Sequence, residues 1–174
     1  MSRAVLVAFA GLPGVGKSTV ARLVAQRLPA AYVRIDSIEQ AMRSSGVLAA
    51  DVGPAGYIAA YGIAEGNLRL GIAVVADSVN PLPETRAAWR QTAMAAGAPL
   101  VNVEVVCSDQ VEHQRRATTR QSDVPGLAVP TWPAILQRDY RPWIDDRLQI
   151  DSAFMTPEAA CAAILQAVQA VAAN

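Results

Sequence analysis

The sequence predicts an α/β fold, a five-stranded parallel sheet with helices on both faces and a short lid. Three observations predict it. Apolar runs of strand length alternate with helix-length segments along the chain, the pattern of a parallel sheet wrapped by its crossover helices. Two strand-like runs stop at an aspartate, Asp36 and Asp77. A glycine-rich turn, Gly11–Gly16, joins the first strand-like run to the first helical one. The 174 residues, 52% of them hydrophobic, suit one domain over 1–174 with a full core.

The elements follow in order. Ala4–Ala10 (AVLVAFA) is the continuous apolar run of a buried parallel strand. Ser18–Leu28 carries Val20, Leu23, Val24 and Leu28 on one stripe and reads as a helix that Pro29 ends. Ala31–Ile35 is the second strand, stopping at Asp36, and Ser37–Arg43 is helical. Ser44–Pro54 reads as loop, and Ala55–Leu70 as helix despite Gly56, Gly62 and Gly66. Gly71–Ala76 is the third strand, ending at Asp77, and Pro81 and Pro83 mark a loop. Glu84–Ala96 is helical, Leu100–Cys107 alternates around Val101, Val103 and Val105 as a fourth strand, and Asp109 caps a helix to Arg120. Gln121–Pro133 is the longest loop, Thr131–Tyr140 holds a further helix, and Arg147–Ile150 is the fifth strand. Thr156-Pro157-Glu158 opens the last helix, Pro157–Ala173, as cap, proline and first-turn acid.

Composition narrows the function. No apolar run reaches the roughly 18 residues of a membrane span, and Met1-Ser2-Arg3 leads into a strand without a secretory leader, so a cytoplasmic setting is expected. Cys107 and Cys161 match no metal or redox spacing and read as buried small hydrophobes. Formal net charge is zero, which argues against a nucleic-acid partner. Fourteen arginines accompany a single lysine, Lys17. An ammonium on a flexible stem has been kept where a planar guanidinium cannot substitute.

That lysine stands in Gly11-Leu12-Pro13-Gly14-Val15-Gly16-Lys17-Ser18, a complete G-x-x-x-x-G-K-[ST] phosphate loop after a strand and before a helix. Its glycines let successive amides converge on phosphate oxygens, and the helix N-terminus favours the same anion. ATP is the expected ligand, held by Gly11, Pro13, Gly14, Val15, Gly16, Lys17, Ser18 and Thr19. Lys17 is expected on the β- and γ-phosphates, Thr19 on the α-phosphate, and the Ser18 hydroxyl on Mg²⁺.

Further side chains complete the expectation. Asp77 is either an associate of Mg²⁺ or a cap before Asn80-Pro81. Asp36, on the same sheet edge as the phosphate loop, is a base for an attacking hydroxyl, the cap of the next helix, or both, since Asp36-Ser37-Ile38-Glu39 forms a capping box. Arg116 and Arg120 share a helix face with His113 and suit a transferring phosphoryl group; the plain alternative is a solvated basic face. The segment at about 114–133 would close over them as a lid. The segment at about 37–70 is the expected acceptor region. In it Tyr57, Tyr61, Glu65 and Arg69 recur every four residues, lining either a pocket or an ordinary packed helix face with a Glu65–Arg69 pair.

The sole lysine leaves none for a guanine-reading Asn-Lys-x-Asp segment, and Asp77 is followed by Ser78 rather than a water-activating glutamate. With these residues read, the chain resembles the small P-loop kinase group that includes chloramphenicol phosphotransferase, zeta toxins, gluconate kinases and the kinase domain of polynucleotide kinase. The resemblance is carried by GLPGVGKST, RIDSIEQAM, VVADSVNPLPETRAAW with Asp77 and Arg86, EHQRRATTR, and IDSA at Asp151. It implies ATP as donor, a hydroxyl acceptor, Asp36 as base, Arg86 beside the substrate, and Asp151 and Ser152 near the adenine. The reading that results is transfer of the γ-phosphate to a hydroxyl of a sugar-, sugar acid- or antibiotic-like small molecule. A polynucleotide 5′-hydroxyl kinase and a nucleotide-binding switch with negligible transfer stand as alternatives. The sequence names neither the acceptor nor the oligomeric state.

Overall fold

A computed structural model of the chain describes residues 4–47 and 51–173. Five strands, β1 (Leu6–Ala10), β2 (Ala30–Arg34), β3 (Ala73–Asp77), β4 (Leu100–Val106) and β5 (Leu148–Asp151), form one parallel sheet in the order β2-β3-β1-β4-β5. Seven helices accompany them among the described residues: α1 (Lys17–Arg27), α2 (Ile35–Ser44), α3 (Ala55–Arg69), α4 (Pro83–Ala95), α5 (Gln110–Thr119), α6 (Trp132–Leu136) and α7 (Pro157–Ala172). The α/β expectation of a parallel sheet with helices on both faces holds.

β1 and β3 are buried at every residue, as continuous apolar runs between two helical layers should be. On one face Val7, Phe9 and Val75 join Val20 and Val24 of α1 and Ile164 and Val168 of α7 in the first core. On the other, Leu6, Val74 and Ala76 meet Ala60, Ala64 and Leu68 of α3 and Trp89 of α4. The chain leaves β1 for the β2 edge, returns to β3, then crosses to β4 on the far side of β1. The strand order therefore reverses at β1, and a crevice opens at its carboxyl end.

Several expectations shift in position. The second strand ends at Arg34, paired in register with Asp77, and Ile35 turns inward to start α2. Asp36 thus occupies the first turn of α2 rather than the strand end. The capping box does not form: Arg34 is the N-cap and no side chain caps the helix. Pro83 begins α4 instead of sitting in a loop. α5 and α7 start as read, with Asp109 accepting from Glu112 N at 3.0 Å and Thr156 accepting from Ala159 N at 3.2 Å. α3 runs unbroken through all three glycines. Gly56 has a packing reason, since a Cβ there would overlap the Glu39 side chain of α2. Of the Ser44–Pro54 loop, residues 48–50 lie outside the described residues. Cys161 is buried as read, but Cys107 is only half-buried.

Arg86 requires a correction. Its side chain is 2% exposed and faces no substrate cleft. Its guanidinium donates to the carbonyls of Asn80, Pro81, Arg141 and Pro142 at 2.7–3.2 Å. It lies 4.2 Å from the Trp143 ring centre and 5.3 Å from that of Tyr140. On the same side, buried Glu104 of β4 takes Tyr140 Oη at 3.0 Å and Arg147 Nε at 2.6 Å. The segment from Tyr140 to Arg147 is thereby clamped over the sheet by one buried arginine and one buried acid. A five-donor fork satisfies these four converging carbonyls. Arg86→Ala should destabilise the fold by about 3 kcal/mol, because those carbonyls lose their donors in a dry site. Urea denaturation measures the loss, and nucleotide affinity of the folded fraction should be retained.

Candidate functional site

The loop between β1 and α1 turns through Gly11, Gly14 and Gly16, at φ of 142°, 90° and 90°. A Cβ at Gly14 would stand 2.8 Å from the Cβ of Ala117 in α5, and one at Gly11 would overlap the Val105 carbonyl of β4. Glycine here supplies both the backbone conformation and the close approach of neighbouring elements. Gly16 is the N-cap of α1, so the unpaired amides of that helix open onto the loop. His113 supports the loop from α5, with its Nε2 2.9 Å from the Pro13 carbonyl and its ring edge-on to Trp132.

Under the loop lies Asp77, 1% exposed at the end of β3. Its carboxylate accepts from Lys17 Nζ at 2.8 Å and from Tyr32 Oη at 2.6 Å, with Arg34 Nε at 3.8 Å. Burial pushes the Asp77 carboxyl up, but the Lys17 ammonium and hydrogen bonds from Lys17, Ser18 and Tyr32 prevail and hold it below the usual range. Burial, followed by the Asp77 charge, pushes the Tyr32 hydroxyl up, so it remains a donor. The Ser18 hydroxyl and the Asp77 carboxylate are hard oxygen donors of the kind Mg²⁺ takes.

A cleft of about 660 Å³ runs from this loop along α2 to α3 and is covered by the segment after α5. Lys17, Ser18 and Thr19 line its phosphate-loop end, with Arg116 and Arg120 opposite. Arg116 is aimed by a 2.6 Å bond to Glu112, a 3.0 Å bond to Ser152 Oγ and a 3.3 Å bond to the Ser152 carbonyl. Arg115 joins Arg116 on Glu112, whose carboxyl those hydrogen bonds pull down to about 2. The Nε of Arg120 is buried with no partner in the protein. Asp36 lines the middle of the cleft, its side chain 38% exposed and 3.7 Å from Arg34.

The covering segment is docked. Asp123 binds Arg34 at 2.8 Å and also pairs with Arg22 of α1. Burial raises the Asp123 carboxyl, and hydrogen bonds from Arg34 and Arg22 outweigh it, leaving the group below its ordinary range. Arg34 consequently touches Asp36, Asp77 and Asp123 together. Arg34, Asp123 and Tyr32 had escaped sequence reading because their partners stand up to 101 residues away, so no local spacing exposes them.

Glu39 had also been read only as half of a capping box. It lines the cleft one turn after Asp36, against Gly56. Burial pushes its carboxyl up despite Arg43 at 3.5 Å. Tyr57 lines the same region, its hydroxyl accepting from Asn80 N at 3.0 Å.

The rest of the tyrosine face does not reach the cleft. Tyr61 stands edge-on to Trp89 at 4.6 Å and donates to the Thr85 carbonyl. Glu65 pairs with Arg69 at 2.5 Å on the outside of α3. Four-residue spacing drifts around a 3.6-residue helix, so this row winds from the cleft through the core to solvent. Tyr61 and Glu65 are therefore corrected as substrate contacts. Asp151 is a turn former, accepting from Ser108 N at 3.1 Å and Ala153 N at 3.0 Å. The hydrogen bond from Ser108 holds its carboxyl below the usual range. It reaches the site through its neighbour Ser152, which carries Arg116 and approaches Gly16.

Tyr32→Phe removes one donor from Asp77 while keeping the ring. Stability should fall by about 1 kcal/mol at neutral pH. Asp77's depressed carboxyl stabilises the fold above the ordinary carboxylate range and loses that contribution as pH falls through its folded value. In the variant that value is higher and closer to the unfolded one, so urea midpoints measured downward from about pH 5 should start to fall at the same pH as in the wild type but lose less in total.

A family described as an AAA domain matches residues 6–134. No curated protein matches the chain. Among solved structures, the Mycobacterium tuberculosis APS kinase CysC in complex with AMPPNP and APS aligns with a TM-score of 0.73 and 21% identity, over 97% of this chain and 99% of that one. Chaetomium thermophilum Kti12 in complex with ADP-AlF3 aligns at 0.72 and 21%, over 97% and 100%. A gluconokinase from Sinorhizobium meliloti aligns at 0.63 and 19%, over 98% and 97%. At these identities the likeness is one of fold, that of the small P-loop kinases.

Proposed function

We propose that this chain, which belongs to the AAA domain family, is an ATP-dependent phosphotransferase acting on a hydroxyl of a small molecule. One observation carries the reading. A single cleft joins a complete phosphate loop to an accessible carboxylate, Asp36, with two arginines between loop and covering segment. A nucleotide switch needs the loop but has no use for a second compartment with an exposed carboxylate. Zero net charge and a cleft closed by a docked segment favour a small acceptor over a polynucleotide. Among the described residues no helix is long and apolar enough to cross a membrane, and both cysteines are free, in keeping with a cytoplasmic role.

In this reading the loop amides and the start of α1 hold the phosphates of ATP. Mg²⁺, bound by Ser18 and beside Asp77, would supply positive charge at the β- and γ-phosphates. Lys17 exchanges its bond to Asp77 for one to phosphate, a short swing on a flexible stem. Arg116, pre-aimed by Glu112 and Ser152, and Arg120, with an unfilled donor, take the charge spread over the transferring group. Asp36 orients the acceptor hydroxyl and accepts its proton. The oxygen–phosphorus bond forms as the bond between the γ-phosphorus and the ADP oxygen breaks. The segment at about 114–133 serves as lid, held down by Asp123, and excludes water that would otherwise take the phosphoryl group.

The test is magnesium-dependent ATP consumption across sugars, sugar acids, nucleosides, antibiotics and a 5′-hydroxyl oligonucleotide. Asp36→Asn should lower acceptor-stimulated turnover by about 100-fold or more, with ATP affinity preserved. An unchanged rate would remove Asp36 as base. Activity confined to the oligonucleotide would replace the small-molecule reading.

Glu39 gives a second test. Its raised carboxyl means that the ionised form is disfavoured in the folded state. Glu39→Gln should raise the melting temperature at pH 7 while weakening acceptor use, the pattern of a residue kept for function at a cost in stability. The wild type binds that proton as pH falls, so the gap in melting temperature should narrow toward acid.

A further inference from the structure

Two arginines of the cleft have no carboxylate within ion-pair distance among the described residues, Arg120 and Arg138. The other cations there are engaged. Lys17 and Arg34 hold Asp77, Arg22 and Arg34 hold Asp123, Arg43 approaches Glu39, and Arg116 is on Glu112. Arg120 lies at the phosphate-loop end, beside Arg116, where the transferring phosphoryl group gives it a partner. Arg138 follows α6 and belongs to the opposite end. There it shares the cleft with Glu39 and Tyr57, and the charges of both Arg138 and Glu39 act on the Tyr57 hydroxyl.

Seven cationic side chains line the cleft against three carboxylates, and Asp77 and Glu112, paired with Lys17 and Arg116, bring the acids to five. In a chain of zero net charge, this excess is concentrated at one cleft.

From this we infer an oxyanion subsite at Arg138: the acceptor is a hydroxyl compound that also bears a carboxylate, sulfate or phosphate, bound by Arg138 at the α3 end of the cleft. The inference rests on the phosphotransferase reading for the word acceptor, but the subsite is testable without transfer. Glu39 and Tyr57 beside it offer hydroxyl-binding partners, so the pocket suits a small polyol acid. The planar fork of Arg138 takes two oxygens of such a group side by side. Asp36, farther along the same wall of α2, stands between this anchor and the phosphate loop. A compound held at one end by its anion thus presents a hydroxyl toward the other.

The test uses the full chain saturated with AMPPNP and magnesium, so that the phosphate loop is occupied, and titrates inorganic sulfate calorimetrically at low salt. One saturable site is expected. Arg138→Ala should weaken it about tenfold, the loss of one charge-assisted contact, and Arg138→Lys should recover part of the affinity. AMPPNP affinity should be retained in both variants. Absence of saturable sulfate binding to the loaded wild type, or equal affinity in Arg138→Ala, overturns the subsite. In parallel, matched pairs such as gluconate with glucitol and glycerate with glycerol are compared in the ATP-consumption assay. Preference for the acids that disappears in Arg138→Ala supports the inference. Equal use of acid and neutral partners overturns it and leaves the phosphotransferase reading intact. An Arg138-dependent sulfate site with no transfer to any compound supports the subsite and counts against the phosphotransferase reading.

Discussion

Lys17 and Asp77 meet at 2.8 Å in a nearly dry part of the molecule, where either charge alone would be costly. Lys17 starts the helix behind the phosphate loop, and Asp77 ends the strand beside it. Their pairing fixes how the loop sits on the sheet. Asp77 is held ionised, because Lys17 and Tyr32 donate to it and Arg34 stands close by. In the proposed reading, in which Lys17 passes to phosphate, the loop is held ready by a contact that phosphate can replace.

The same carboxylate starts a chain of charges reaching the rest of the site. Arg34 is next to Asp77 because parallel register pairs those two strand ends. From that position it also reaches Asp36 at the head of α2 and Asp123 on the covering segment. One guanidinium thus relates the floor of the phosphate site, the proposed base and the proposed lid. Removing a partner would leave the others overcharged, so the cluster is coupled as a unit.

A second anchoring device works on the opposite side of the sheet. Arg86, Trp143, Tyr140 and Glu104 hold the Tyr140–Arg147 segment, and Arg138 lies just before it. The tryptophan- and proline-rich segment, opaque as a motif, is therefore a structural strap whose leading end borders the proposed acceptor half of the cleft. The two halves have different origins. Residues around the phosphate loop come from strand ends and their loops, whereas those of the proposed acceptor side come from helices α2 and α3 and from the approach to the strap.

What the sequence alone determined was whatever depends on local pattern. Apolar runs specify buried strands, the glycine-lysine-serine spacing specifies the loop, and Asp109 and Thr156 specify helix starts, because each signal acts within a few residues. Asp77 was legible for the same reason, standing where an apolar run stops. Tertiary structure decided the long-range partnerships. It showed that Arg86 is a clamp, that Tyr61 and Glu65 wind away from the cleft, and that Asp36 is a first-turn helix residue. It also brought Tyr32, Arg34, Glu39, Asp123 and Arg138 to the site. Hydrogen-bonding side chains have no period of their own. Their roles are set by which donor and acceptor the packed sheet and helices bring within about 3 Å, a condition that no segment of the chain carries by itself.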